Sequence, residues 1–157
     1  MIVKLEPLTA EAFVPFGQVL TVPTAPGRDY FDEALSNLRP NAKASLSIAR
    51  REDLATLPFT ATQMERHEFS SQSFVPLDVG RWLVMVAPHA SGGGPDMTKA
   101  KAFLPRPGQG VTFGANVWHH PMTILDKPAT FAVFMWLVKG AGDEEFFTLK
   151  TPVTISL

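Results

Sequence analysis

Hydrophobic residues recur along this chain in short, strand-length runs that prolines and glycines interrupt. The 157 residues include 14 prolines and 11 glycines, which leaves little room for long helices. Short apolar runs between such residues are typical of an all-β sandwich or barrel. The pattern predicts ten strands, over residues 17–22, 44–50, 61–67, 73–76, 81–87, 101–104, 110–113, 122–125, 130–137 and 146–148.

Two short helices are predicted beside these strands, over residues 9–13 and 51–54. Thr9 favours the first helix because its hydroxyl can accept a hydrogen bond from a free N–H at the helix start, and Glu11 adds an acid to the first turn. The chain contains no repeat, low-complexity tract or interdomain linker. We therefore expect residues 1–157 to form a single domain.

Composition and charge exclude several classes of protein. With 45% hydrophobic and 18% charged residues, the chain is expected to bury a substantial core. Its net charge of −1 provides no basic surface for nucleic acid. No run reaches the roughly 18 apolar residues of a membrane helix. The absence of cysteine excludes disulfides and agrees with a reducing compartment. We expect a soluble, cytoplasmic protein that binds neither nucleic acid nor membranes.

The first segment with candidate chemistry contains Glu65-Arg66-His67. Side chains alternate faces along a strand, so Glu65 and His67 are predicted to share one face and Arg66 to lie on the other. A carboxylate and an imidazole on one face can share a metal ion or transfer a proton, and Gln72 could add a neutral oxygen. A structural hydrogen-bonded pair is the competing interpretation.

The second segment is a glycine-rich turn followed by a strand that ends in two adjacent histidines. His119 and His120 cannot both face the interior of a barrel. We predict that His119 points inward together with Val117, and that His120 lies near the rim or bonds to backbone. In the competing interpretation, Trp118 anchors a subunit contact and the histidines are its structural neighbours.

Several short motifs occur in one order along the chain: Glu65-Arg66-His67, Gln72-Ser73-Phe74-Val75-Pro76, Lys101-Ala102-Phe103, Gln109-Gly110-Val111 and Val117-Trp118-His119-His120-Pro121. In order and spacing they resemble the paired motifs of a cupin barrel and, more closely, those of the ureidoglycolate lyase family. The N-terminal residues 8–17 agree as well. The resemblance therefore extends over nearly the whole chain.

This resemblance implies a cupin-type double-stranded β-helix, or jelly-roll barrel, that is all-β apart from one or two short helices. It implies a carbon–nitrogen lyase that releases urea and glyoxylate from ureidoglycolate in allantoin catabolism, and thus a small carboxylic-acid substrate. It also implies a homodimer and a divalent metal. Nickel is suggested by the family, and zinc would suit the same nitrogen and oxygen ligands.

The resemblance also implies roles for individual residues. Glu65, His67 and His119 are expected to act in catalysis, as proton-transfer groups or as metal ligands. Lys101 is expected to pair with the substrate carboxylate, although a solvated lysine at a strand end is the common alternative. Gln72 and His120 complete the predicted substrate-binding set.

Three positions depart from the family pattern. Gly114 stands where a histidine is usual, and Met135 and Trp136 stand where an Asp-Arg pair is usual. These replacements keep two other functions open. One is a divergent cupin enzyme acting on another small hydroxy or keto acid, and the other is a non-catalytic protein that binds a small ligand.

Overall fold

The computed structural model describes residues 1–139 and 142–157, and β-strands dominate both ranges. The described residues contain one α-helix, α1 (Ala10–Phe13), and a 3₁₀ turn at Met97–Lys99. Their strands are β1 (Ile2–Pro7), β2 (Gly17–Leu20), β3 (Lys43–Arg51), β4 (Phe59–His67), β5 (Gln72–Asp78), β6 (Trp82–Ala87), β7 (Lys101–Leu104), β8 (Gly110–Phe113), β9 (Trp118–His119), β10 (Thr123–Ile124), β11 (Ala129–Leu137) and β12 (Glu144–Ser156).

Six of the strands close into a barrel in the order β6-β7-β1-β12-β4-β9. The ring closes because β6 pairs with β7 and also with β9, where Val86 lies opposite His119. Strand β10 extends this sheet through β6. The barrel interior is filled by side chains that include Met64, Met85 and Trp118.

A second sheet, of order β2-β8-β5-β11-β3, covers part of the barrel wall. Aromatic side chains fill the space between the two layers, with Phe13 against Phe103 and Phe74 against Phe131. Because both of its faces are covered, β6 is buried at every residue. The prediction of an all-β, cupin-type barrel is confirmed.

Predicted strand positions agree well with the structure where turn residues mark both ends. Residues 101–104 and 110–113 form β7 and β8 with the predicted bounds. The first helix is also confirmed, and the Thr9 hydroxyl accepts a hydrogen bond from the Ala12 N–H at 3.2 Å. Among the described residues, no helix is long and apolar enough to cross a membrane.

The second predicted helix, over residues 51–54, is wrong. Arg51 is the last residue of β3 and pairs with Ala129, whereas Leu54 forms a bridge with Ile124. Pairing with the neighbouring strand therefore overrides the local sequence preference. Strand β1 was not predicted, and β12 extends well beyond the predicted residues 146–148.

Candidate active site

The two predicted motifs meet as neighbours in the barrel wall. Strands β4 and β9 are antiparallel, and Glu65 lies directly opposite His119. Glu65, His67 and His119 share one face and are 9%, 3% and 1% exposed. Arg66 points to the other face, as predicted, where it lies over the Trp118 ring. The sequence motifs had suggested facing elements of a barrel, but the residues occupy adjacent strands.

Glu65 and His119 form a buried carboxylate–histidine pair. Nδ1 of His119 lies 3.1 Å from the Val117 carbonyl oxygen and donates to it. Nε2 lies 3.1 Å from a Glu65 carboxylate oxygen, although its N–H direction does not point at that oxygen. The contact is an ion pair when the imidazole is protonated at both nitrogens.

Further contacts fix this pair in place. The Phe113 ring is parallel to the His119 ring within 7°, with centroids 4.1 Å apart. Burial by itself would raise the pKa of Glu65. The close contact with His119 and its positive charge when protonated, with smaller contributions from His67 and His120, outweigh burial and leave the pKa of Glu65 lowered. The carboxylate is therefore ionised at neutral pH.

His67 belongs to a second carboxylate–histidine pair, with Asp143 just before β12. The distance from His67 Nδ1 to Asp143 Oδ1 is 3.2 Å. A carboxylate can only accept, so Nδ1 carries the hydrogen, and Nε2 of the neutral ring carries a lone pair. Within the described part of the chain, this buried Nε2 has no hydrogen-bond partner. This is the arrangement of a held general base.

Asp143 is itself held by several donors. Its other oxygen accepts from the Ser70 hydroxyl at 2.7 Å and from the Phe69 N–H at 3.3 Å. The guanidinium of Arg39 lies 3.4 Å from Oδ1. Burial would raise the pKa of Asp143, but Ser70, His67 and Arg39 together lower it. The residue is an anion that orients His67.

A cavity of about 130 Å³ opens beside this second pair. It is lined by Arg39, His67, Met135, Trp136, Leu137, Val138, Gly142, Asp143 and Glu144. Arg39 donates to the Trp136 carbonyl at 3.0 Å, but its Nε has no partner among the described residues. The cavity wall therefore combines a cation and an unpaired histidine nitrogen with the carboxylates of Asp143 and Glu144, a set of polar groups suited to a small polar ligand.

The Glu65–His119 pair lies next to this cavity rather than in its wall. The ring centroids of His67 and His119 are 6.0 Å apart, and the rings are inclined by 24°. The two imidazoles are therefore close enough to serve one small substrate. Predicted catalytic residues 65, 67 and 119 are all brought together.

Lys101 is not brought into this group. Its position on β7 is opposite Val86, which in turn is opposite His119, so it lies two strands away on the same face. Its ammonium group is 3.5 Å from the Glu6 carboxylate in a largely exposed ion pair. The cation at the cavity is Arg39, which the sequence analysis did not identify.

The two remaining predicted substrate-binding residues have different environments. Nδ1 of His120 lies 2.8 Å from the Pro121 carbonyl and 2.9 Å from the Thr123 hydroxyl, which confirms the prediction of a backbone bond. Burial lowers the pKa of His120. Gln72 is buried opposite Phe113, and its side-chain oxygen has no partner among the described residues. Gln72 thus lies near the ring that stacks on His119.

The predicted metal ligands do not form a metal centre as they stand. Among residues 1–139 and 142–157, no group of three or more His, Asp or Glu side chains is arranged to hold an ion. Protein zinc sites use three or four such ligands. The contact of His67 Nδ1 with Asp143 leaves Nε2 open, and metal-binding histidines commonly make such a contact through their other nitrogen. The divalent metal stays a prediction, and no chemical step is assigned to it.

Sequence reasoning missed Asp143, Arg39 and Ser70. His67 and Asp143 are separated by 76 residues, and no local spacing connects them. The only available signal was a polar residue beside a turn, as in Gly142-Asp143 and Arg39-Pro40, and such residues are common in loops.

The fold and the site together define an all-β, cupin-type protein with two buried carboxylate–histidine pairs beside a small cavity that Arg39 and His67 help to line. That arrangement is suited to acid–base chemistry on a small anion. The family model described as "Ureidoglycolate lyase" matches residues 1–156. The chain belongs to this family.

Individual relatives agree with that assignment. The chain is 38% identical over 152 residues to the ureidoglycolate lyase of Brucella melitensis biotype 2, which covers 91% of this chain and 88% of that protein. It is 38% identical over 158 residues to the ureidoglycolate lyase of Pseudomonas aeruginosa, with 92% and 90% covered. Identity to the ureidoglycolate lyase of Pseudomonas paraeruginosa is 37%, again with 92% and 90% covered.

Proposed function

We propose that this chain is a ureidoglycolate lyase, which cleaves ureidoglycolate into urea and glyoxylate and acts in allantoin catabolism. Family membership and the names of the relatives support an enzyme of this kind, and neither favours the divergent enzyme or the non-catalytic binder. The observation that carries the mechanism is the presence of two buried carboxylate–histidine contacts. In one the carboxylate lies at Nδ1 of the ring, and in the other it lies at Nε2.

The substrate determines which groups are needed. In ureidoglycolate, one carbon bears a hydroxyl, a carboxylate and a urea nitrogen. When the carbon–nitrogen bond breaks, the hydroxyl loses its proton and its oxygen becomes the aldehyde carbonyl of glyoxylate. The departing nitrogen takes up a proton and leaves as urea. The reaction therefore needs a base, an acid and a cation for the carboxylate.

His67 is the proposed base. Asp143 accepts from Nδ1 and so keeps the lone pair on Nε2, which has no partner within the described residues and belongs to a residue of the cavity wall. The same logic operates in serine proteases, where a buried aspartate holds the imidazole in the reactive tautomer. His67 takes the hydroxyl proton as the carbon–nitrogen bond breaks.

His119 is the proposed acid. Glu65 provides the negative charge that stabilises its imidazolium form, at a distance of 3.1 Å. Its ring lies 6.0 Å from that of His67, centroid to centroid, a separation that one substituted carbon can bridge. Hydrogen bonds of this type often tighten only when substrate is bound. His119 donates the proton to the urea nitrogen.

Arg39 is the proposed partner of the substrate carboxylate. Its guanidinium lines the cavity, remains charged at any physiological pH, and keeps its Nε unpaired among the described residues. Gln72 supplies a buried amide near His119 and is proposed to orient the urea group.

Direct measurement of both products tests the function. Purified protein is incubated with ureidoglycolate, and urea and glyoxylate are quantified against a buffer blank. We expect equal amounts of the two products. His67→Gln, which keeps a polar side chain of similar size, should lower kcat by about 10³-fold. A folded wild-type protein that releases neither product above the blank refutes the proposal.

We also propose that the chain forms a homodimer. Strand β3 is an edge strand, and its outward residues Leu46 and Ile48 are 71% and 63% exposed. An exposed apolar edge strand is favoured as a contact between chains. Light scattering is expected to give twice the mass of 17.2 kDa, and Ile48→Glu is expected to give the monomer. The cytoplasmic location stays a prediction.

A further inference from the structure

Arg66 joins several segments on the face of β4 that points away from His67 and Glu65. Its Nε donates to the Glu145 carboxylate at 2.7 Å. One terminal nitrogen donates to the Asn116 side-chain oxygen and lies 3.1 Å from His89 Nδ1. The guanidinium carbon lies 5.0 Å above the Trp118 ring. We call these five residues the Arg66 cluster.

The cluster joins the segments that carry the two catalytic pairs. Asn116 is in the turn before β9, three residues before His119, and its own N–H donates to the His67 carbonyl at 2.8 Å. Its backbone has a φ of 64°, a left-handed conformation that asparagine tolerates better than most residues. Glu145 follows Asp143 by two residues at the start of β12. One guanidinium thus holds the backbone on both sides of the site.

Two donors determine how His89 takes part. Trp118 Nε1 donates to His89 Nδ1 at 3.0 Å, so this nitrogen must carry the lone pair. Arg66 donates to the same atom, and the His89 and Trp118 rings are nearly parallel at 12°. The cluster is therefore a connected set of directed contacts in which each member fixes the orientation of the next.

We propose that Arg66 is a positioning residue that sets the distance between the His67–Asp143 pair and the Glu65–His119 pair. The inference rests on the proposed function, since those pairs are its base and acid. Arg66 does not line the cavity, so it acts only through the backbone segments that it joins. Its planar guanidinium group has several N–H donors in fixed directions, so one side chain can bind both a carboxylate and an amide partner.

A structural role and a positioning role lead to different expectations. If Arg66 only stabilises the fold, its loss lowers the melting temperature while the folded molecules keep the wild-type kcat. If it positions the pairs, kcat falls in fully folded protein, because a displacement of about 1 Å can lower a rate by about 100-fold. KM changes little, because Arg39 and the cavity wall are not part of the cluster.

The test compares Arg66→Met with Arg66→Lys and with a matched control, Arg50→Met. Arg50 forms an exposed ion pair with Glu52 at 2.8 Å, so its loss removes a similar group away from the site. We expect Arg66→Met to lower kcat by about 100-fold with KM within about threefold. Arg66→Lys should recover part of the rate, and added guanidinium ion should partly rescue Arg66→Met. Arg50→Met should equal the wild type.

A measurement without turnover separates this inference from the proposed function. Imidazole NMR signals of His67 and His119 should move in Arg66→Met and stay in place in Arg50→Met, even for a protein that releases no urea. If Arg66→Met does not fold, Asn116→Gly serves instead, since glycine accepts the φ of 64° and the change leaves the Arg66–Glu145 contact intact. Wild-type kcat with unmoved histidine signals in the folded variant overturns the proposal.

Discussion

The two carboxylate–histidine pairs contain the same kinds of side chain but join them through different ring nitrogens. Asp143 binds Nδ1 of His67, and the Nε2 of that ring is left with a lone pair. In the other pair, the Val117 carbonyl binds Nδ1 of His119, and Glu65 lies beside Nε2. In the proposed mechanism, the first arrangement provides the base and the second stabilises the acid.

The difference shows how similar residues acquire opposite roles. In both pairs the carboxylate is ionised, because nearby hydrogen bonds and positive charges outweigh the effect of burial on its pKa. What differs is the environment of Nε2. In both histidines an oxygen acceptor engages Nδ1, but Glu65 lies beside Nε2 of His119, whereas Nε2 of His67 has no hydrogen-bond partner among the described residues.

The largest effect that separates the pairs is expected from Asp143→Asn. An amide can present its NH₂ group to Nδ1, which moves the ring hydrogen to Nε2 and removes the base. We expect kcat to fall by roughly 10³-fold, as in other enzymes where the aspartate sets the tautomer. Steady-state kinetics with circular dichroism as a folding control provides the check. A loss below threefold in folded protein would show that His67 does not depend on Asp143.

A smaller loss is expected from Glu65→Gln. The change removes the anion beside His119, and kcat should fall by about 10²-fold. Because the protonated imidazole loses its partner, the alkaline limb of the kcat pH profile should move to lower pH. Profiles of the two variants provide the comparison, because only the Glu65 variant is expected to move that limb. An unchanged profile contradicts the assignment of His119 as the acid.

Acid stability distinguishes the pairs from ordinary surface groups. The pKa values of Glu65 and Asp143 are lowered below the ordinary values of these side chains, because hydrogen-bond donors and positive charges outweigh burial. A carboxylate with a lowered pKa in the folded state stabilises the protein above its unfolded pKa and loses that effect as pH falls through its folded pKa. The free energy of unfolding should therefore decline below about pH 4.5.

Urea titrations between pH 6 and pH 3 measure this decline. In Glu65→Gln and Asp143→Asn, the free energy of unfolding should each time fall less steeply with decreasing pH than in the wild type. Glu52→Gln is a control, because that carboxylate forms an exposed ion pair with Arg50. If the free energy of unfolding depends on pH equally in all four proteins, neither buried carboxylate contributes to acid stability as expected.

The smallest effect is expected from Lys101→Met, with kcat and KM within about twofold of the wild type, because exposed ion pairs contribute little. Its ammonium pairs with Glu6 away from the cavity. The matched variant Arg39→Met should raise KM by about tenfold, since one charged hydrogen bond to the substrate is lost. A raised KM in Lys101→Met together with an unchanged KM in Arg39→Met would assign the carboxylate-binding role to Lys101.

Prediction from sequence was successful where the evidence is local. The period of two along a strand separated Glu65 and His67 from Arg66. The prediction that His119 points into the barrel is wrong, because Trp118 occupies the interior and His119 lies on the opposite face of β9, against Phe113 of the second sheet. The Thr9 cap located the first helix. The same local reasoning gave a wrong helix at residues 51–54, because cross-strand pairing to Ala129 extends β3 through Arg51.

By itself, the sequence determined the barrel class, the family and the three side chains Glu65, His67 and His119. Strand periodicity, turn residues and ordered motifs all act over a few residues, so they can be read directly along the chain. Only the tertiary structure decided which nitrogen of each histidine is engaged and which cation lies at the cavity. Those outcomes depend on Asp143 and Arg39, which reach the site through strand pairing and loop placement far from the motifs.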